Sequence, residues 1–556
     1  MGRAVIRSGD NLIVGADAPV GTEVARVVGL IRADEAIGNL AGLELADGGS
    51  LPVSNANEFR FRYNTGLQRL EGSTNAAAYL PFAVGQGVVI VADSTALGTY
   101  PDAPLANGCP AWVASRLCSY ILDKNDTTTP TDGRRVVASS DGKRWFRVMA
   151  PNPAWLGKAI WGIDAVAGND DNDGGIVGGV WHPLATWDEL RCRMAQGVVS
   201  VAQSVYLQTD LVEDVIIDWS HDDQLVGSCS TTIIGTRSDE YSGTCGAGTT
   251  AYDPATSSLG RIEDAAVPTG AWSTSGLVGH HFRMTTGTHI GYVGVIATEL
   301  AASPTKCYYL PLVNVTTWTT GVAPLAGEQY TVYDLTTVTG KLEIQNPAAY
   351  VATLDVAFEN LGVTEPVIEN AGGVLVAYVS RFVGDHSTDD GGTTVAIGNR
   401  FAHTVGAFSL VAGRFDSTGN WFDGHGVDAS DGSDFVVNGA SIFSSLAAAA
   451  CPVGLRGAST CTFVTWASWL PTGTIAPALD LQEMSFASLT TGYPCGKLVG
   501  ALSSISVKTG AELFYAAGYA PTVTGAATDV AIGATTYTYA QLPVGKYPHG
   551  VVYQTE

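Results

Sequence analysis

Charge is scarce in this sequence. Only 15% of its 556 residues are Asp, Glu, Lys or Arg, and 53 acidic residues stand against 29 basic ones for a net charge of −24. A chain so one-sided repels phosphate backbones, and no basic stripe offsets it, which argues against nucleic acid as a partner. Long apolar runs are missing too. The longest, around Leu446 to Cys451, falls far short of the ~20 residues that cross a bilayer. Met1-Gly-Arg-Ala-Val-Ile-Arg lacks a secretory apolar core, so neither signal peptide nor membrane insertion is expected. None of the nine cysteines (Cys109, Cys118, Cys192, Cys229, Cys245, Cys307, Cys451, Cys461, Cys495) forms a C-x-x-C. With no nearby Cys/His cluster, a zinc site is not expected, and no other cofactor is. The cysteines read as buried small hydrophobes. The other reading is disulfides, with Cys229/Cys245 and Cys451/Cys461 the nearest pairs, and an odd count leaves a thiol or an inter-chain bond.

What is present points to strands. Hydrophobic residues make up 46%, too many for disorder, and Gly is plentiful at 66 without a collagen period. Thr, Val and Ala abound while Met numbers only 5, which favours strands and turns over helices. Length allows about three to four domains.

Four zones follow. Residues 1–82 hold strand-like runs such as Asn11-Leu-Ile-Val, ending in an Arg/aromatic alternation from Asn57 that turns at Asn64-Thr65-Gly66, a β-hairpin pattern. Residues 83–158 read as a compact β-rich module with one short helix. Residues 159–509 open with Trp161-Gly-Ile-Asp, an Asp/Asn/Gly loop, and a helix over His182–Met194. Thr186 and Glu189 there form a capping box, and Leu184, Trp187, Leu190 and Met194 share one face. Such a helix plugs the first coil of a solenoid, which would otherwise expose apolar core and strand edges. Short Gly/Asn/Asp-bounded strands then recur, with Phe358, Phe382, Phe415 and Phe443 as anchors near one coil apart. That predicts a parallel β-helix, the competing reading being a β-sandwich. A non-repetitive block, about 234–342, predicts a small barrel-like insertion. Residues 510–556 are strand-like.

Three segments resemble a known class. Phe61-Arg-Tyr-Asn-Thr-Gly-Leu-Gln-Arg-Leu-Glu-Gly is similar to a sheet-and-turn element of bacteriophage fibre proteins. Val91-Ala-Asp through Arg144-Trp-Phe-Arg resembles a small module that precedes β-helices in phage tail fibres and tailspikes. Ile163-Asp, Gly168-Asn-Asp-Asp-Asn-Asp-Gly and Pro183-Leu-Ala-Thr-Trp-Asp-Glu-Leu together resemble the opening of such β-helices. The match covers about residues 57–195 by motif and the remainder by texture. The resemblance implies a virion protein with a right-handed parallel β-helix, assembled as a homotrimer whose N-terminal portion joins other virion proteins. Trimerisation would also bury weakly charged strand faces. Attachment at tail, collar or head stays open.

Candidate sites stand beside simpler readings. Asn169, Asp171, Asp173 and Gly174 fit the first half of a calcium loop, but Val180 occupies the position of the bidentate Glu, so a polar turn is expected and no metal. Three carboxylate groups recur: Asp214, Asp218, His221, Asp222 and Asp223; Asp385, His386, Asp389 and Asp390; and Trp421, Asp423, His425, Asp428, Asp431 and Asp434. Glycoside hydrolysis needs two carboxylates ~5–10 Å apart, which successive coils can supply. Asp423, Asp428 and His425 are the catalytic candidates and Trp421 a sugar-stacking one. Gly424-His425-Gly426 resembles a tripeptide of β-helix polygalacturonases, whose Asn-Thr-Asp and Arg-Ile-Lys elements are absent. Trp421, Trp466 and Trp469 either face carbohydrate or are core or trimer contacts, the second being the expected reading. No Gly-x-Ser-x-Gly, His-Glu-x-x-His or phosphate-binding loop occurs.

The expectation is an all-β tail fibre or spike in the virion that recognises host surface polysaccharide, multivalent through its copies. The alternatives are a capsular-polysaccharide depolymerase, glycoside hydrolase or lyase, and an architectural collar or head fibre without ligand. The balance leans away from an enzyme.

Overall fold

Runs of β-formers broken by Gly, Asp, Asn and Ser fold into sheets almost throughout. The computed structural model describes most of residues 88–489. His425 and several short loops fall outside the described residues, and beyond that span only individual strands are described. The chain divides into two units, Met1–Val89 and Ile90–Glu556. In the first, Phe59–Asn64 pairs antiparallel with Arg69–Thr74, as the alternation around Asn64 predicts.

The second unit begins with a five-stranded sheet ordered Val89–Val91, Pro110–Val113, Cys118–Asp123, Arg144–Arg147, Val136–Ala138. Its inward positions, among them Val113, Tyr120, Leu122 and Trp145, are fully buried. The short helix Ser94–Gly98 is capped by Asp93, whose carboxylate accepts the Ala96 N–H at 2.7 Å.

The remainder is a parallel β-helix. Each coil gives one strand to each of three sheets. In one coil Tyr350–Leu354 lies in the first sheet, Val356–Asn360 in the third and Ile368–Ala371 in the second. The next coil stacks on it in register, Val351 on Leu375, Phe358 on Phe382 and Glu369 on Thr388. Alternation decides which side chains enter the core: Val351 and Thr353 point in and are fully buried, while Ala352 and Leu354 face outward.

The expected anchor series needs correction. Phe358, Phe382, Phe401 and Phe422 form the true column, with centroids 5.7, 5.3 and 5.2 Å apart and ring planes within 13°. Phe415 belongs to the first sheet, above Thr394, and meets Phe401 edge-on. Unequal loops between strands hid the rung that Phe401 occupies.

Polar ladders hold the corners. After the first sheet, Asp355 and Val379 adopt positive φ, as do Gly398 and Gly419 at the matching corners of the next two coils. The residue that follows each of the last three builds a buried ladder. Ser380 N–H donates to Asn399 Oδ1 and Asn399 N–H to Asn420 Oδ1, both at 2.8 Å. The Asn420 amide donates back to the Ala396 carbonyl at 2.7 Å. These bonds satisfy backbone groups that the bend takes out of the sheets.

The helix Trp187–Met194 closes the first coil, with Trp187, Leu190 and Met194 in the main core and Trp187 stacked on Trp219. Half of the expected capping box forms: Thr186 Oγ1 accepts the Glu189 N–H at 3.2 Å. The Glu189 side chain does not return to Thr186, because two arginines take it. Instead Glu213 from the next coil accepts the Trp187 and Asp188 N–H groups at 2.6 and 3.1 Å. Burial pushes the Glu213 carboxyl up in spite of those bonds.

The insertion is barrel-like, as expected. Gly260–Glu263, Lys306–Pro311, Val293–Glu299, His281–Met284, Gln329–Thr339 and Arg237–Thr244 pair antiparallel in that order. The chain leaving Arg237–Thr244 then pairs Thr250 with Arg261, which closes the ring. Gln329–Thr339 serves both parts. Its first half belongs to the insertion, and Thr336–Thr339 pairs parallel with Val356–Glu359 of the shaft.

Candidate functional site

The three outer faces of the β-helix differ. The insertion packs on the outer face of the third sheet. There Trp421 joins the insertion's own core, with Trp272, Phe282 and Tyr330, and is only 3% exposed. Arg400 lies 4.5 Å over the Trp421 ring, donates to the Gly279 carbonyl at 3.2 Å and pairs with Asp423 at 2.8 Å. Gly279 has positive φ, which strains other residues, and a Cβ there would also displace the Arg400 guanidinium. Arg381 bridges Asp334 and Glu359 at 3.0 and 2.9 Å, and Arg237 meets Asp355 at 2.6 Å. Fully buried His281 stacks on Tyr333, and burial, reinforced by the Arg381 and Arg400 charges, drives its pKa far below the ordinary value. This seam fastens the insertion to the shaft.

The sugar-stacking expectation for Trp421 therefore meets a covered ring. The insertion covers it, so Trp421 takes the core place rather than a carbohydrate-facing one. Asp423 and Asp428 also lie apart. Asp423 sits on the third sheet under the insertion, while Asp428 sits in Val427–Ser430 on the second sheet and pairs with Arg456. The corner at residues 424–426 sends them to different faces. His425 of that corner lies outside the described residues. Asp434 faces outward from the first sheet, held by Arg414 at 3.1 Å and the Thr460 hydroxyl at 2.7 Å, and Asp431 is an exposed corner residue with positive φ.

The second sheet carries a polar column outward. Glu343, Glu369, Ser409, Asp428 and Asp480 face out along it, with Gly454 between the last two, and Thr388 and Ser506 hold register positions in the same series. Lys341 ties Glu343 and Glu369 at 2.9 and 3.1 Å, and the Gln482 amide donates to Asp480. Asp428 and Asp480 stand two strand steps apart, ~9.5 Å between backbones, with Gly454 on the strand between them. Asp480 escaped the sequence reading. The signal was there, because Asp428, Gly454 and Asp480 lie 26 residues apart, as do the corner serines Ser433, Ser459 and Ser485.

The other two groups are dispersed. Asp218 pairs with Arg191 at 2.8 Å, and Asp214 accepts the Lys341 N–H at 3.0 Å. His221 is buried, accepting the Tyr350 N–H at 2.8 Å and facing the Thr231 hydroxyl at 3.0 Å, and burial lowers its pKa to about 4. Asp222 is half-buried in the coil after it, and Asp223, Asp385 and His386 lie outside the described residues. Asp389 and Asp390 belong to the strand Thr388–Asp390. Trp466 also lies outside the described residues, and Trp469 continues the register of the Phe column above Phe443.

The calcium-like loop is a clamp. Asp170 accepts the Ala185 and Thr186 N–H groups, and Asp173 takes Lys158 at 3.3 Å. Asp171 takes Ser94, Ser115 and Arg116. Burial raises the Asp171 carboxyl, but Arg116 and the hydroxyls outweigh it and hold the pKa below its ordinary value. Among the described residues no group of three His, Cys, Asp or Glu is placed to hold a metal ion. No described helix is long and apolar enough to cross a membrane. Cys118, Cys192, Cys245 and Cys307 carry free thiols. Cys229 and Cys451 lie outside the described residues.

No family model matches the chain, and no curated protein matches it. Among solved structures it is similar to the Gp54 tailspike of Acinetobacter baumannii bacteriophage AP22, which was solved in complex with A. baumannii capsular saccharide. The identity is 9% over 60% of this chain and 70% of that one, with a TM-score of 0.16.

Proposed function

We propose that this chain is a bacteriophage virion protein, a tail fibre or spike acting in host-surface recognition and attachment. In this reading it works as a homotrimer joined to other virion proteins. The observation that carries it is the shaft. Twelve parallel strands from Ile160–Ile163 to Gly550–Thr555 stack in one sheet, which at ~4.8 Å per step gives ~50 Å of stiff reach. A small module is clamped to its plugged end by buried ion pairs. The hydroxyls, carboxylates and Arg456 along the second sheet suit a hydroxyl-rich polysaccharide, and several copies would add avidity. The test is competition. Purified protein incubated with host cells should lower adsorption of the phage that carries it. Unchanged adsorption at saturating protein would remove the attachment role.

The second reading, a surface-polysaccharide depolymerase, is favoured by one feature. Asp428 and Asp480 share one register column two strands apart, a backbone spacing of ~9.5 Å, and the acid and base of inverting glycosidases stand ~6.5–9.5 Å apart. In that reading Asp428→Asn and Asp480→Asn each abolish release of reducing ends, while Asp423→Asn leaves it intact. Release that survives both changes would take this pair out of the mechanism.

A further inference from the structure

We propose that the outer face of the first sheet is the surface through which copies of this chain pack on one another. This extends the homotrimer of the proposed function by naming its contact face, and rests on that reading only for the number of copies. Of the three outer faces, the third is covered by the insertion and the second carries Glu343, Glu369, Asp428 and Asp480. Among the described residues the outer face of the first presents uncharged side chains over five strands, many of them apolar. Ile234, Leu354, Tyr378 and Ile397 form one outward column, with Val376 and Val395 in the column beside it. Tyr378 is 39% exposed although its neighbours are apolar.

Charge singles out the occupant. From Gln203–Leu207 to Thr393–Ile397 no outward position of this sheet is charged, in a chain of net charge −24. Identical acidic chains repel wherever their carboxylates face each other, so they approach most easily across an uncharged face. Where charge returns, one strand further on, Arg414 is flanked by Asp416 and Asp434, each at 3.1 Å, so the face carries little unpaired charge there. The extent is sufficient. The parallel strands span ~50 Å by ~16 Å, close to the ~800 Å² that each partner gives to a stable interface, and the uncharged part, five strands or ~20 Å of that length, is the apolar centre of such a face with a charged margin. Burying the uncharged strands removes apolar area from water without stranding charge.

Sedimentation equilibrium of the full chain tests this, beside the double variant Tyr378→Glu/Val395→Glu and the control Ser409→Glu on the second sheet. The wild type and the control should sediment as one oligomer. The double variant should sediment as a monomer with its β-sheet circular dichroism retained. If it fails to fold, the milder Ile397→Lys should raise the dissociation constant at least tenfold. An oligomer unmoved by the folded variants overturns this face and leaves the homotrimer standing. A wild type that is monomeric at all concentrations overturns both, whatever the protein binds.

Discussion

The Glu189 carboxylate lies 2.6 Å from the Arg147 guanidinium, with both side chains withdrawn from solvent. The contact joins the strand Arg144–Arg147 of the small sheet to the helix that plugs the shaft. Arg193, one turn along that helix, holds the other carboxylate oxygen at 2.7 Å, and Arg116 stands 3.8 Å away. A module fixed this way moves with the shaft.

Removing one partner of such a group strands buried charge. Glu189→Gln should cost about 3–5 kcal/mol, because Arg147 and Arg193 lose their counter-charge with no access to water. Urea unfolding followed by circular dichroism reads this directly. A change within 0.5 kcal/mol would mean that the junction is hydrated or open in solution.

The Phe column makes a second prediction. Phe401 touches Phe382, Phe422, Phe408 and Phe415 and is fully buried. Phe401→Ala should lower stability by about 3–5 kcal/mol, and Phe401→Leu by much less, since the cavity term scales with the volume left empty. Equal losses in the two variants would argue against a packed column.

His221 gives a pH dependence. Its pKa is lowered to about 4 by burial in the folded chain and stands near 6.5 when unfolded. Between those values the unfolded state binds more protons, so stability is full above pH 6.5 and is lost as pH falls toward 4. The full loss is of the order of 3 kcal/mol. His221→Asn, which keeps an acceptor for the Tyr350 N–H, should flatten that part of the profile. Parallel wild-type and variant curves from pH 7 to 4 would contradict the assignment.

Arg400 reaches the insertion through the Gly279 carbonyl, covers the Trp421 ring and is held in place by Asp423. Arg400→Ala should expose Trp421, shift tryptophan emission to the red and speed proteolysis of the insertion, at a stability cost of about 1–3 kcal/mol. Emission and cleavage rates equal to wild type would show that the apolar contacts of Trp421 suffice.

The sequence made the local elements legible and left their stacking hidden. The hairpin at Phe59–Thr74, the helix at Trp187–Met194 and the insertion follow from turn residues and alternation, which act over a few positions. Which rung lies on which depends on loops of unequal length, so Phe415 was counted with a column that Phe401 occupies. The site suffered likewise. Asp423 and Asp428 are close in sequence, yet one corner sends them to different faces, while Asp428 and Asp480 share a column across 52 residues. The glutamate expected to cap its own helix is taken by Arg147, a partner 42 residues earlier.

Retention of the labelled, full-length protein on intact bacterial cells, compared with the same cells stripped of surface polysaccharide, tests the account most directly. The account predicts retention on the intact cells of at least one strain in a host panel and loss of retention after stripping. Equal retention on stripped cells, or none on any strain, would contradict a fibre that recognises host surface polysaccharide.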